Sequence, residues 1–454
     1  MSGLELYARI PGPLGSDAAL WEGHLFLEKM KRLGLIERWN GYHSSALFPD
    51  EPPLHMYFVK NTFNDDRRRF GLDGIGRHFS SPEKALWASI GEAVERRTLD
   101  LFSPESGTFI DATPKELGNS AIDLSTLAGI SPEERQKNQS LSFSDKTKFR
   151  YMQVYSLTKK KWLWAPLQLV SFRRHNSYEE PLLRSLVSTG AATHHSVDEA
   201  LLGAILESLE RDAFMITWLN QLSPEYLELE KSTNEELQKM LETVKRYHLE
   251  VYALRLPTDF EGIHVVLGLL IDRTGVGPAI NVGAKAGFDI EDTVKGVITE
   301  MLGTRLFVRM RYDNARKEER DLAFTDRSKI GLQERTLYWC DPQKIERINF
   351  LLQGKRTPLN IIPREKEKSV KEKVKFLVHS FEKKGLELAY ADLSSLPWMK
   401  KLGLKTVMVV APELQPLSLH EVPPHTWGPR LRSVPLHCGF TPRKEVFSEI
   451  HPFP

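Results

Sequence analysis

The chain has 454 residues, more than one compact core of ordinary size accommodates, so two or three lobes or one elaborate double-lobed domain are expected. Charged residues make up 27% and hydrophobic residues 41%, a globular balance that excludes disordered and fibrous classes. With 62 basic and 60 acidic residues the formal charge is +2, so no global field recruits nucleic acid or an anionic membrane, and an anionic ligand must be held by local groups.

The N-terminus has no basic region followed by an apolar stretch, so no secretory signal is read there. An amphipathic helix is predicted from Ala18 to Leu35, followed by a Pro-rich stretch ending at Pro53, and residues 1–60 read as an N-terminal accessory segment. From 61 to about 410 short apolar strands alternate with amphipathic helices, for example Val251–Leu256 and His264–Ile271 before a helix near Asp289; an α+β (mixed α/β) architecture follows. The apolar runs are strand-sized and too short for the roughly 20 helical residues that cross a bilayer. The two cysteines, Cys340 and Cys438, have no C-x-x-C spacing, so neither a zinc site nor a disulfide framework is implied, and a reducing cytoplasm fits. A charged segment from Arg364 to Lys375 leads into a helical pattern reaching Leu386 and reads as a solvated helix face. Residues 411–454 form a Pro-rich tail, and its last thirty residues are expected to be extended.

One pattern is written three times. Ser81 stands eleven residues before Glu92, which opens Glu92-Ala-Val-Glu95-Arg96, and Ser196 stands eleven before Glu207, which opens Glu207-Ser-Leu-Glu210-Arg211. Serine is a good helix cap and Pro82 suits a first turn, so two helices of the same phase are predicted. Positions i, i+3 and i+4 share a helix face, so each helix presents two carboxylates and a guanidinium together. A weaker third copy runs from Asp289 to Glu300, with Gly303 at the second glutamate position and Arg305 nearby.

A single E-x-x-E-R is ordinarily a surface helix with weak internal ion pairs. Here Ala85, Leu86, Ile90 and Val94, or Ala200, Leu201, Ile205 and Leu209, surround the motifs with apolar residues, as on buried helices. Four or five buried carboxylates are prohibitively costly unless a hard cation and basic side chains neutralise them. Oxygen-only ligands suit magnesium, and interleaved arginines grip phosphate in a forked geometry, so magnesium and a nucleotide are the economical ligands.

With these residues the chain resembles the YcaO family, whose members carry two E-x-x-E-R helices and a later glutamate-containing helix around magnesium-ATP. The resemblance implies Glu92, Glu95, Glu207 and Glu210 as metal carboxylates, and Arg77, Ser89, Arg96, Glu199, Arg211, Glu300 and Arg305 as nucleotide-binding residues. Three departures stand out. Ala88 occupies a position often held by serine, with Ser89 one place later; Gly303 replaces a glutamine; and Gly74-Ile-Gly76-Arg77 replaces a glycine-lysine-glycine stretch, so Arg77 stands in for the lysine.

The segment from Leu402 to Pro416, the following Trp427-Gly-Pro-Arg430 and the ending His451-Pro-Phe-Pro454 resemble the azoline-forming subgroup. That resemblance implies cyclisation of Cys, Ser or Thr in a ribosomal precursor peptide through phosphorylation of the amide oxygen. A stiff terminus threads readily into a cleft, which makes the carboxylate of Pro454 the expected proton acceptor, with His451 second. The implied partners are the precursor peptide, a leader-peptide-binding subunit related to ubiquitin-activating enzymes, a second copy of this chain in a homodimer, and a flavin-dependent azoline dehydrogenase where azoles are made. A thioamide or amidine synthase and a non-catalytic scaffold are the alternatives. His194-His195 lacks an evident third metal ligand, and the scattered tryptophans read as core or interface residues.

Overall fold

The computed structural model describes residues 18–62, 73–102, 108–172, 180–315, 327–363 and 367–453. The chain begins α1 (Ala18–Arg32), β1 (Ile36–His43), β2 (His55–Asn61), β3 (Gly74–His78), α2 (Pro82–Leu101), β4 (Phe109–Ala112), α3 (Pro114–Leu117), α4 (Pro132–Lys137). It continues β5 (Phe149–Ser156), β6 (Lys161–Pro166), β7 (Ala191–His194), α5 (Val197–Leu219), β8 (Glu225–Glu228), α6 (Glu235–Lys245), β9 (Leu249–Arg255), β10 (His264–Asp272), β11 (Ile280–Gly287), α7 (Ile290–Asn314). Then follow α8 (Leu332–Tyr338), β12 (Arg356–Pro358), α9 (Val370–Lys384), β13 (Ala389–Asp392), α10 (Pro397–Leu402), β14 (Lys405–Val410) and α11 (Arg430–His437).

The strands form three sheets, ordered β1-β2-β3, β11-β10-β9-β8-β12 and β4-β5-β13-β14-β7, with β6 paired to β5. β3, β11 and β7 each end one of these orders, and each is followed at once by a long helix. The cap residues of these helices are Ser81, Ser196 and Asp289, whose side chains accept hydrogen bonds from the backbone N–H groups of Lys84, Glu199 and Asp292. The repeat is therefore a structural one: three strand-cap-helix units, β3-α2, β7-α5 and β11-α7.

The units close on one another. Helix α2 packs on its own strand β3 and on β7, α5 packs on β7 and β11, and α7 packs on β11 and β3. Each sheet edge that an isolated unit would leave open is thus covered by a helix of its neighbour. The fit is tight: a Cβ on Gly76 of β3 would stand 1.7 Å from the carbonyl oxygen of Ala85 in α2, so only glycine lets this strand lie on its helix. All three helices are apolar over most of their circumference; α5 alone buries fifteen residues, from Ala200 to Leu219.

Two expectations about organisation change. The boundary expected at 60 falls inside β2, and β1 and β2 pair into the sheet that carries β3. The tail is extended only in part: Arg430–His437 is helical with Pro435 inside it, and Leu414, Leu417, Leu431, Val434, Ile450 and Phe453 are buried in the largest apolar cluster. The charged segment behaves as expected where it is described, since α9 buries Val374, Leu377 and Phe381 and turns its lysines outward. Trp218 and Trp339 are core residues, whereas Trp21 and Trp162 are exposed. Among the described residues no helix is long and apolar enough to cross a membrane.

Candidate active site

The first two units present their motifs in the same way. In the first, Ile75 N–H donates to Glu92 Oε2 (2.8 Å), Arg96 Nη2 donates to Glu92 Oε1 (3.1 Å), and Arg96 Nη1 lies 3.1 Å from Glu95 Oε1. In the second, Gly190 N–H donates to Glu207 Oε2 (3.2 Å), Arg211 Nη2 lies 3.5 Å from Glu207 Oε1, and Arg211 Nη1 lies 3.1 Å from Glu210 Oε1. The backbone donor stands seventeen residues before its glutamate in both. The repeat thus extends from the helix back into the strand, and the strand orients the first carboxylate of each motif.

Neighbouring units bring their carboxylates together. Burial pushes the Glu95 carboxyl well above the usual range; Arg96 works against this, while Glu207 of the next unit and Glu92 reinforce it. Burial likewise pushes Glu210 up to about 8, with Arg211 opposing and Glu300 of the third unit adding to the rise. Arg96 and Arg211 are buried but held charged by these carboxylates. Among the described residues their Nε–H groups have no hydrogen-bond partner, so buried donors are left over for a further acceptor.

The third unit departs from the pattern, and the geometry explains how. Glu300 keeps the first position, but Gly303 and Thr304 stand where the first two helices have glutamate and arginine. Arg305 was expected at the nucleotide and does not go there. One residue later than the motif's arginine, it is turned by about 100° around the helix and is buried in a separate network, donating to Glu51 Oε2 and Asp272 Oδ2, both at 2.7 Å. The vacant space on α7 is filled from another element. A Cβ on Gly303 would stand 2.0 Å from Cδ of Arg77, so Arg77 reaches across from β3 and lies where a third-unit side chain would be. The departure at Gly303 and the arginine at 77 are one feature.

Other expected residues sit elsewhere. Ser89 is fully buried and donates to the Leu86 carbonyl, so its hydroxyl is not offered to a nucleotide. Glu199 is engaged at the start of α5, accepting from Ser196 Oγ (2.7 Å) and lying 2.8 Å from His194 Nδ1. Pro454 lies outside the described residues. Its neighbour Phe453 reaches the site: the Arg211 guanidinium stacks over the Phe453 ring at 4.0 Å, and the ring packs on Phe214. His451 is buried against Arg335 and near the Ser418 carbonyl; desolvation and then the Arg335 charge hold its imidazole well below its usual pKa, so it is a poor proton acceptor, contrary to expectation.

Sequence reading passed over two contributors. Asp212, next to Arg211, is a buried partner of Arg430 (2.7 Å) and accepts from Gln415 N–H (2.8 Å), fastening the tail to α5 beside the motif. Lys285 of β11 lowers the Glu210 carboxyl from across the boundary between units. Carrying the helix repeat upstream into the strands would have exposed Lys285; nothing local marks Asp212.

The donor set fits magnesium and a nucleotide only together. Among the described residues no three His, Cys, Asp or Glu side chains stand close enough to hold a metal ion by themselves. Paired carboxylates with leftover arginine donors suit an ion that takes its remaining ligands from phosphate and water.

The chain belongs to the YcaO family: the model of the YcaO cyclodehydratase, described as ATP- and Mg2+-binding, matches residues 76–415. A heterocyclase in complex with substrate and cofactor has a similar fold (TM-score 0.75, 19% identity) over 94% of this chain; the chain spans 57% of that protein. The YcaO protein from Methanopyrus kandleri bound with AMPPCP and Mg2+ is similar at a TM-score of 0.60 and 16% identity, covering 88% of this chain and 90% of that one. The E. coli microcin synthetase McbBCD complex with pro-MccB17 bound is similar at 0.56 and 13%, covering 82% and 88%. No curated protein matches the chain.

Proposed function

We propose that the chain is the catalytic subunit of an ATP-dependent cyclodehydratase that turns Cys, Ser or Thr residues of a ribosomal precursor peptide into thiazolines or oxazolines. The observation that carries this reading is the meeting of two features at Arg211: the carboxylate ring on one side and the Phe453 ring of the C-terminal tail on the other. A nucleotide site alone would need only the first.

In this chemistry a peptide side chain attacks the preceding amide carbonyl carbon, and the former carbonyl oxygen receives a phosphoryl group and departs as phosphate. Magnesium, when bound, neutralises charge that builds on the transferring phosphoryl group. Glu92, Glu95, Glu207 and Glu210 are the residues that would hold it, and Glu300 acts on Glu210 from the third unit. Arg96, Arg211 and Arg77 position phosphate oxygens, so the protein's contribution is orientation and charge neutralisation rather than covalent chemistry. The terminal carboxylate of Pro454, one residue from the ring stacked on Arg211, is the proposed acceptor of the protons lost in ring closure.

A partner that binds the leader peptide completes the system. Support comes from the longer heterocyclase, of which this chain matches 57%. The scaffold alternative is weakened by Arg77, which returns a cation to the third unit where the motif has lost one. The test is peptide-dependent phosphate release with loss of one water per ring, read by mass spectrometry with the partner present. Removing Pro452 to Pro454 is expected to abolish ring formation and leave Mg2+-nucleotide affinity within about threefold, which is under 1 kcal/mol. Unchanged ring formation in the truncated protein removes the tail from the mechanism.

A further inference from the structure

Once the three units are aligned on Glu92, Glu207 and Glu300, equivalent strand positions can be compared. Seventeen residues before these glutamates stand Ile75, Gly190 and Gly283; a Cβ on Gly283 would meet the Glu300 side chain at 3.1 Å, so β11 faces α7 at this register. Two residues further along a strand the side chain returns to the same face. That position holds Arg77 in β3, Ala192 in β7 and Lys285 in β11.

The same residue meets the preceding unit's helix at the second motif position. Arg77 lies at Gly303 of α7, and Lys285 acts on Glu210 of α5. By the same register Ala192 belongs to the boundary with Glu95 of α2, where β7 and α2 pack. The three boundaries therefore differ in charge. One has a carboxylate and no strand cation (Glu95, Ala192), one has both (Glu210, Lys285), and one has a cation and no carboxylate (Gly303, Arg77). A nearly threefold frame is graded from negative through neutral to positive.

Both strand cations flank α7 and its Glu300. Neither Arg77 nor Lys285 has a hydrogen bond or ion pair through its side chain among the described residues, and the Lys285 ammonium is exposed. The Lys285 stem runs over α7 at Gly296, where a Cβ would stand 3.1 Å from Lys285 Cδ, so its course is fixed by a residue with no side chain to block it. Two unpaired cations on either side of one helix, opposite the boundary with the most negative charge, have the arrangement of a polyphosphate cradle.

We propose that Lys285 is a phosphate-binding residue of the nucleotide cleft, the β11 counterpart of Arg77. The proposal rests on the magnesium-nucleotide reading above and adds a residue to it. Lysine serves here as a point charge, and its loss removes one charge-assisted contact.

The experiment is calorimetric binding of Mg2+-AMPPCP to the full chain and to the variants Lys285→Met and Lys285→Arg, with thermal unfolding of each as a check on folding. Because Lys285 is exposed, both variants are expected to fold. Lys285→Met is expected to weaken binding by about tenfold or more, and Lys285→Arg to stay within about threefold of the native chain. Binding by Lys285→Met within about twofold of the native chain overturns the proposal. Equal weakening in both variants also overturns it, since charge would then not be what Lys285 supplies. If the native chain itself does not bind Mg2+-AMPPCP, it is the underlying nucleotide reading that fails.

Discussion

Gly303→Ala places a methyl group where Arg77 now lies. The added Cβ would stand 2.0 Å from Arg77 Cδ and 3.0 Å from its Nε, against an ordinary carbon contact of about 3.5–4.0 Å. Position 303 is inside a helix, so the backbone cannot yield and the Arg77 side chain must swing away. In stability the change is neutral or favourable, because alanine is better than glycine in a helix interior by about 0.5–1 kcal/mol. In binding it removes one charged contact, worth about 1.5–3 kcal/mol, or roughly ten- to hundredfold in Kd for Mg2+-AMPPCP. A double-mutant cycle isolates the cause: Gly303→Ala added to Arg77→Ala should cost nothing further, because the contact it displaces is already gone. Calorimetry on the four proteins, with unfolding curves in parallel, decides the matter. Native affinity in Gly303→Ala, or losses that simply add, refutes the idea that these two positions are one feature.

Arg305→Met is expected to act on stability and not on binding. It leaves Asp272 buried without its cation and Glu51 with Arg309 alone, a loss of about 3–5 kcal/mol by chemical denaturation, while nucleotide affinity of the folded fraction holds; a selective loss of affinity would return Arg305 to the site. The pH dependence of the metal-free protein, measured in chelator, follows from Glu95 and Glu210. Both carboxyls bind protons more tightly folded than unfolded, and for Glu210 the folded state holds the extra proton between the unfolded value near 4.5 and about 8. Stability from these groups is therefore greatest below the unfolded value and falls as pH rises toward 8. Glu210→Gln should flatten that fall, and an unchanged slope in the variant contradicts the assignment.

What could be read from the sequence was the helical half of each unit. Ser81, Ser196 and Asp289 are cap residues at fixed distances from a glutamate, and a cap with its following turn is determined by a few adjacent residues. The strand halves were not read, because β3 and β7 are five and four residues long and their places are fixed by pairing with β2 and β14, distant in sequence. For the same reason the first sixty residues looked separable: nothing in Ile36–His43 announces that its sheet carries Arg77. Arg305 was misplaced by a single residue of helical phase, an error that only the partners Glu51 and Asp272 expose. The tail was read as extended from its prolines, yet Pro435 is accommodated in α11, where Leu431 and Val434 supply a buried face.

Arg211 joins the two parts of the candidate site that sequence reading had to treat separately. Its edge faces the carboxylates of its own helix, and its face is covered by Phe453. Such a residue can present donors to a phosphate oxygen in its plane while the aromatic ring fixes that plane from one side. The next residue, Asp212, holds Arg430 in a forked pair, and Arg430 in turn pairs with Asp259, so the tail is anchored one residue away from the guanidinium that it covers. The tail is thereby held over the face of Arg211, while Glu207 and Glu210 hold its edge. The tail and the carboxylate ring, which is built from three units far upstream, thus meet on one guanidinium.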